Sequence, residues 1–462
     1  MIPRMGSMRD YPFGGTSMSA FRTEGAAPTK PERLFYLDWL RVLAVLGIFV
    51  VHTLRPFDAL GDWNIKNREQ SMVVSLIVGW GTEWGIPLLF VLAGAASWFA
   101  LRSHTGRHFL RERSLRLLIP FVVGFLLLSP PQAYVEALTH GTFAGSFLKF
   151  VPWFFTHVQP NWHIVWISIY TYHLWFLAFL WFYSLLALPL FLSLRGAAGS
   201  RVLGTLAACC ARPGGILLFI LPIALIQMAL RGAFPAYTDW ADFVYFFAFF
   251  VYGYLLFSQP SFARAIHRHG PIALGIGLVC SLLMAVAFLA GPGLSWETSP
   301  DYTLGSLLYQ LLRSINTWAW LIVILASGIS YLNRNSRVLR SANEATLPFY
   351  VLHHPVIAVI AFYVVPWGMG ILPKWLILMT LSLALILAVY ALLIRRVNAM
   401  RWLFGLKPRK PTPRQDGNGR EQEEHQAGSL GSKADEPVPL HTAREAPSGT
   451  EPAQSDEHAF TG

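Results

Sequence analysis

Cysteine is scarce in this chain, with three in 462 residues. Cys209 and Cys210 are neighbours in a basic stretch and Cys280 sits in an apolar run, so the sequence offers neither a disulfide framework nor a metal-ligand spacing, and no metal is expected. Charge is thin as well: Asp, Glu, Lys and Arg make up 13% of the residues, too few to solvate the surface of an ordinary soluble enzyme of this length. Residues 1–32 are polar and lack the apolar core of a cleavable signal, so the first apolar segment is expected to direct insertion. No internal repeat is visible, and no soluble catalytic domain is expected at either end. The net charge of +11 does not point to nucleic acid, because its positive residues lie mainly in short loops between apolar runs.

What is abundant is apolar length. The chain is 54% hydrophobic and 14% aromatic, with a mean hydropathy of +0.46, and apolar runs recur along it. Such runs predict an all-α fold, a polytopic bundle of about ten transmembrane helices near 34–54, 72–101, 116–135, 167–193, 214–232, 241–257, 271–291, 304–329, 347–366 and 374–395. The second is long for one crossing and contains Pro87, which predicts a kink or tilt. Loop charges alternate. Arg102, Arg107, Arg111, Arg113 and Arg116 follow the second span, and further arginines follow the fourth, sixth, eighth and tenth. The other loops carry Asp58, Asp62, Glu69, Glu136, Asp239, Glu297 and Asp301. Under the positive-inside rule both termini are cytoplasmic. Three regions follow: a disordered cytoplasmic segment 1–32, a membrane domain 33–400 and a disordered cytoplasmic tail 401–462, polar and rich in Pro and Gly.

Several polar residues sit where hydrocarbon would penalise them. The first span holds Asp38, Arg41 and His52. Asp38 and Arg41 are one turn apart and can pair, as a structural ion pair or with Arg41 holding an anionic ligand. Arg41 and His52 are eleven residues apart, which on a helix is about 20° off the same face and about 16 Å along the axis. His52 reads either as an interface residue or as a general base for a hydroxyl near neutral pH. Arg113 and Arg116 share a face and suit a phosphorylated ligand, or serve topology alone. His173 and Trp175 open the fourth span beside Trp153, His157, Trp162, His163 and Trp166, an aromatic group that fits an interfacial belt or a sugar-stacking surface. Pro348-Phe-Tyr350-Val-Leu-His353-His354-Pro355 falls inside the ninth span, where Pro355 is expected to break the helix and leave carbonyls free. With Gln227, Arg231, Arg313 and Asn316 these residues predict a shared interior cavity.

Together the motifs resemble those of the membrane-bound acyltransferase 3 family. Leu37-Asp38-Trp39-Leu40-Arg41 with ten residues between Arg41 and His52 is similar to its Arg-x10-His signature. Phe90-Val-Leu-Ala93-Gly94 is similar to its Phe-Phe-x-x-Ser-Gly element, with Leu89 and Ala93 in place of an aromatic and the Ser. Arg113-x-x-Arg116 is similar to its basic cytoplasmic motif, and the elements around His173 and Tyr350–His353 most resemble the branch that contains glucans biosynthesis protein C. The resemblance spans about residues 33–400. It implies an enzyme of a bacterial inner membrane that moves an acetyl or succinyl group from cytoplasmic acyl-CoA to a hydroxyl of a glucan or other carbohydrate at the outer face. Carried over, His52 is the catalytic base or acyl carrier, with Arg41 and Asp38 beside it in the catalytic set. Arg41, Arg113 and Arg116 hold acetyl-CoA or succinyl-CoA, and His173, Trp175, Tyr350 and His353 meet the acceptor. Many members carry an extracytoplasmic domain that completes transfer, so direct transfer or an extracytoplasmic partner protein is expected here. The partners implied are the carbohydrate and the lipid bilayer. The competing reading is an exporter of a glycan or organic acid that uses the same cavity without chemistry.

Overall fold

The computed structural model describes residues 34–409, and the expectations for 1–32 and for the tail beyond 409 fall outside the described residues. All regular elements among them are helical. In chain order they are α1 (Phe35–Leu54), α2 (Met72–Ser103), α3 (Gly106–Leu127), α4 (Ser129–Thr139), α5 (Phe147–Thr156), α6 (Trp166–Thr171), α7 (Trp175–Leu186), α8 (Leu188–Leu194) and α9 (Ala197–Ala211). There follow α10 (Ile220–Leu230), α11 (Trp240–Leu256), α12 (Pro260–Leu289), α13 (Pro292–Thr298), α14 (Leu304–Tyr331), α15 (Arg337–Val364), α16 (Ile371–Val389) and α17 (Asn398–Leu403).

Eight segments are long and apolar enough to cross a bilayer: Phe35–Phe57, Met72–Ser103, Gly106–Thr139, Trp166–Leu186, Pro260–Leu289, Leu304–Tyr331, Arg337–Val364 and Ile371–Ile394. The protein is thus a multi-pass helical membrane protein. The expected fifth and sixth spans are helical too but shorter, at Gly215–Leu230 and Trp240–Leu256.

Local chemistry sets where the helices start. The Thr105 hydroxyl accepts from His108 N, so α3 begins ten residues before the expected span and carries Arg107, Arg111, Arg113 and Arg116 on helix rather than loop. Ser336 caps α15 through Leu339 N at 2.9 Å, and Pro260 occupies the first turn of α12. The fourth span is broken instead of continuous. Tyr172 has φ 51°, a backbone state that side chains seldom adopt, and a 3-10 turn at Tyr172–Leu174 separates α6 from α7.

Pro87 leaves α2 as one 32-residue helix, and α15 also runs unbroken through Pro355. The expected break there is absent, but the freed carbonyl is real. Pro355 has no N–H for Val351 O, and that oxygen accepts instead from His173 Nε2 at 3.1 Å.

The core is built around a close helix crossing. A Cβ added at Gly94 of α2 would lie 2.0 Å from Phe250 O, and one at Gly253 of α11 would lie 2.0 Å from Val91 O. Each helix therefore needs glycine where it meets the other. Beside the crossing, Phe90 is fully buried among Phe176, Tyr183, Phe246 and Trp175. The folded body also reaches past the expected boundary at 400. Arg401 in α17 pairs with Glu344 at 2.7 Å and Leu406 is buried, because the pair and that side chain tie the segment to the bundle.

Candidate active site

α1 ends in a single turn, Arg55–Phe57, and the chain from Asp58 to Ser71 folds over the space beyond it. Asp58 anchors this roof. Its buried carboxylate accepts from Arg55 Nη1 at 2.9 Å, Lys66 Nζ at 2.8 Å and Leu60 N at 2.8 Å. Burial pulls the Lys66 ammonium below its ordinary range, opposed by Asp58. Beneath lies a cavity of about 960 Å³, bounded by α1, α2, α14, α15 and the chain from Arg231 to Tyr237. That volume suits a ligand larger than one sugar ring.

One wall carries a cluster of four imidazoles from three parts of the chain: His52 of α1, His173 of the 3-10 turn, and His353 and His354 of α15. Ring centres are 5.0 Å apart for His52 and His353, 4.8 Å for His52 and His354, and 5.1 Å for His173 and His354. No group of three or more His, Cys, Asp or Glu among the described residues is arranged to hold a metal ion. Hydrogen bonds orient the rings instead.

Those bonds assign the protons. His353 Nδ1 lies 2.5 Å from Tyr350 O, and a carbonyl only accepts, so Nδ1 carries the hydrogen. In a neutral ring its Nε2 is then an acceptor. His52 Nδ1, 2.9 Å away, must donate to it, which leaves the lone pair on His52 Nε2. His52 lines the cavity and His353 does not. By the same logic His173 donates through Nε2 to Val351 O, and its Nδ1 has no protein partner. His354 donates through Nδ1 to Gln132 Oε1, whose amide nitrogen in turn bonds Leu128 O at 3.1 Å. The Tyr350 hydroxyl bonds His173 O, and Tyr172 bonds Glu136 at 2.8 Å, holding the strained turn between them.

Another part of the lining is charged. Arg313 of α14 donates through Nε to both oxygens of Glu83 of α2, at 2.9 and 3.0 Å, and Thr317 bonds the same carboxylate. Arg313 Nη1 is 3.3 Å from Glu297, and Arg231 Nη1 is 2.9 Å from Asp242. Tyr237 stands nearby, its phenol held above the usual range by burial and next by Asp242. Trp175 forms an aromatic wall, edge-on to Tyr237 at 5.8 Å and stacked with Phe246 at 5.8 Å.

Of the expected acceptor contacts, His173, Trp175 and Tyr350 line the cavity. His353 does not, since it is fully buried behind His52 as its hydrogen-bond partner, and the adjacent His354 lines the cavity instead. The aromatic group at 153–166 is also elsewhere. Trp153 stacks on His157 at 4.2 Å and His163 bonds Asp239 at 2.6 Å, and none of the five lines the cavity.

Asp38, Arg41, Arg113 and Arg116 form a second group at the other end of α1. Arg41 bonds Asp38 and Asn343, each at 3.3 Å, and Asn343 returns a bond to Asp38 at 3.1 Å. Arg113 lies within electrostatic reach of Arg41 and Arg116. Its guanidinium bonds Ser97 Oγ at 3.0 Å and Ala93 O at 3.3 Å. Glu83, Asn343 and Gln132 were not singled out from the sequence. Glu83 had a signal, an acid within a long apolar run, whereas Asn343 and Gln132 had none.

A family described as an acyltransferase domain matches residues 34–394. The glucans biosynthesis protein C of Escherichia coli O139:H28 (strain E24377A / ETEC) is 22% identical over 404 residues, covering 82% of this chain and 96% of that protein. No solved structure matches the chain.

Proposed function

Since the chain belongs to the acyltransferase 3 family, we propose that this membrane acyltransferase moves an acetyl or succinyl group from cytoplasmic acyl-CoA to a hydroxyl of a glucan or related carbohydrate at the outer face of a bacterial inner membrane. One observation carries the reading: His52 Nδ1 is committed to His353, which leaves its other nitrogen basic beside a cavity large enough for a sugar.

In this reading an acceptor hydroxyl enters the cavity and gives its proton to His52 Nε2. Its oxygen attacks the thioester carbonyl, the carbon–sulfur bond breaks, and the proton passes from His52 to the departing thiolate. An ester and free CoA thiol result. The bond to His353 holds the ring while it is charged. Ten crossings complete the topology, with Gly215–Leu230 and Trp240–Leu256 as short spans. A 17-residue helix is about 25 Å long, near the lower limit for hydrocarbon. The loop charges then put both termini, Arg41 and the 102–116 arginines at the cytoplasmic face and His52 towards the outer one. The phosphates of CoA stay with the arginines. Its thin pantetheine arm reaches between helices to His52.

The test compares acyl esters on envelope glycans in cells with the wild-type chain, without it, and with His52→Ala at matched protein level. Loss of esters in both altered strains is expected. Unchanged esters with His52→Ala overturn the catalytic role, and unchanged esters without the chain but altered glycan delivery favour an exporter. The mass added per ester identifies the acyl group.

A further inference from the structure

We infer that the charged wall formed by Glu83, Arg313, Glu297 and Arg231 is the second half of the acceptor site, a clamp for a hydroxyl pair on a neutral sugar ring. The inference rests on the reading of this chain as a carbohydrate acyltransferase. All four residues line the same cavity as His52 and His354.

The network is incompletely satisfied. Arg231 Nε and Glu297 Oε2 are buried with no hydrogen-bond partner, as is the hydroxyl of Tyr245, which also lines the cavity. Arg231 Nη1 and Arg313 Nη1 are taken up by carboxylate oxygens at 2.9 and 3.3 Å, which leaves the Arg231 Nε, the Glu297 Oε2 and the Tyr245 hydroxyl over. Buried networks that serve only stability satisfy such groups, because each one left over costs the desolvation of a polar atom. Here donors and acceptors are left over side by side.

That pairing matches a hydroxyl, which donates to a carboxylate and accepts from a guanidinium at once. Two hydroxyls on adjacent ring carbons could be held by one Arg–carboxylate pair. The apolar face of the same ring has Trp175 and Tyr237 to lie against. Charge narrows the ligand further. Among the charged residues that line the cavity, Arg55, Arg231 and Arg313 stand against Asp62, Glu83 and Glu297, so cations and carboxylates are equal in number. An anionic ring would meet no net positive charge in this lining, whereas a neutral ring needs none. The imidazole wall and the charged wall thus share one cavity, with the reacting hydroxyl at His52 and the hydroxyl pair of the acceptor at the clamp.

The experiment uses the full chain in lipid nanodiscs, with the acyl-CoA that wild type accepts, a neutral gluco-oligosaccharide and a glucuronate-containing oligosaccharide of similar length. Glu297→Gln keeps the shape and removes charge at a partly exposed carboxylate, and Arg313→Lys is the second variant. The clamp predicts an acceptor KM raised about tenfold in Glu297→Gln, as for loss of one charge-assisted hydrogen bond, with a smaller change in kcat and an unchanged KM for acyl-CoA. It also predicts that wild type discriminates against the acidic acceptor and that Glu297→Gln narrows this discrimination. An unaltered acceptor KM in both variants overturns the clamp, as does a parallel change in kcat and both KM values with a lowered Tm, which marks a structural network. Failure of wild type to acylate either sugar overturns the underlying reading instead.

Discussion

His52 can remove a proton only through a nitrogen that does not already carry one, and its neighbours decide which nitrogen that is. The chain of bonds from Tyr350 O through His353 to His52 makes Nε2 the basic atom. Removing the middle of the chain frees His52 to rotate or change tautomer. His353→Ala is expected to lower kcat by about 10²-fold, within the range of general-base contributions, while the acceptor KM moves little. His353→Gln should recover part of the loss, since an amide can accept from His52 and donate to Tyr350 O. Steady-state kinetics on both variants checks this, and equal rates for His353→Ala and wild type would remove the relay from the account. At this scale much was legible. An ionisable residue in an apolar run marks itself, so Asp38, Arg41, His52 and the His353–His354 pair could all be found. Their division of labour could not, because whether His353 or His354 faces the cavity depends on how α15 is rotated against α1.

Elements meet where their side chains permit, and α2 and α11 meet backbone to backbone. Phe250 O and Val91 O occupy the places where Cβ atoms at Gly94 and Gly253 would stand. Gly253→Ala must push the helices apart, and overpacking of this kind costs about 1–3 kcal/mol or more. A lower Tm in detergent and reduced yield of folded protein are expected, with the histidine cluster losing its register to α2. A Tm equal to wild type would show that the crossing tolerates a methyl group. Helix starts at this scale were partly hidden. Apolar runs reveal the buried middle of a helix, but Thr105 and Ser336 extend α3 and α15 into polar sequence through their caps. The break at Tyr172 was equally hidden, since no glycine announces its positive φ.

Across the whole molecule, the two polar groups lie at opposite ends of α1. The arginines join Asp38 and Asn343 at one end, and the histidines and the charged wall share the cavity at the other. Loop charge alternation proposes a direction for this axis. The pairing of Arg313 with Glu83 was out of reach, because 230 residues separate the partners and only the fold brings α14 to α2. The proposed reaction, drawn along this axis, would consume acyl-CoA at one end and form ester at the other. The measurement that tests this most directly uses sealed vesicles with the cytoplasmic face outward, radiolabelled acyl-CoA outside and a neutral oligosaccharide trapped within. The account predicts labelled ester inside with wild type and a loss of at least about 10²-fold with His52→Ala. Labelled ester at wild-type level with His52→Ala, or ester formed only on oligosaccharide added outside, would contradict it.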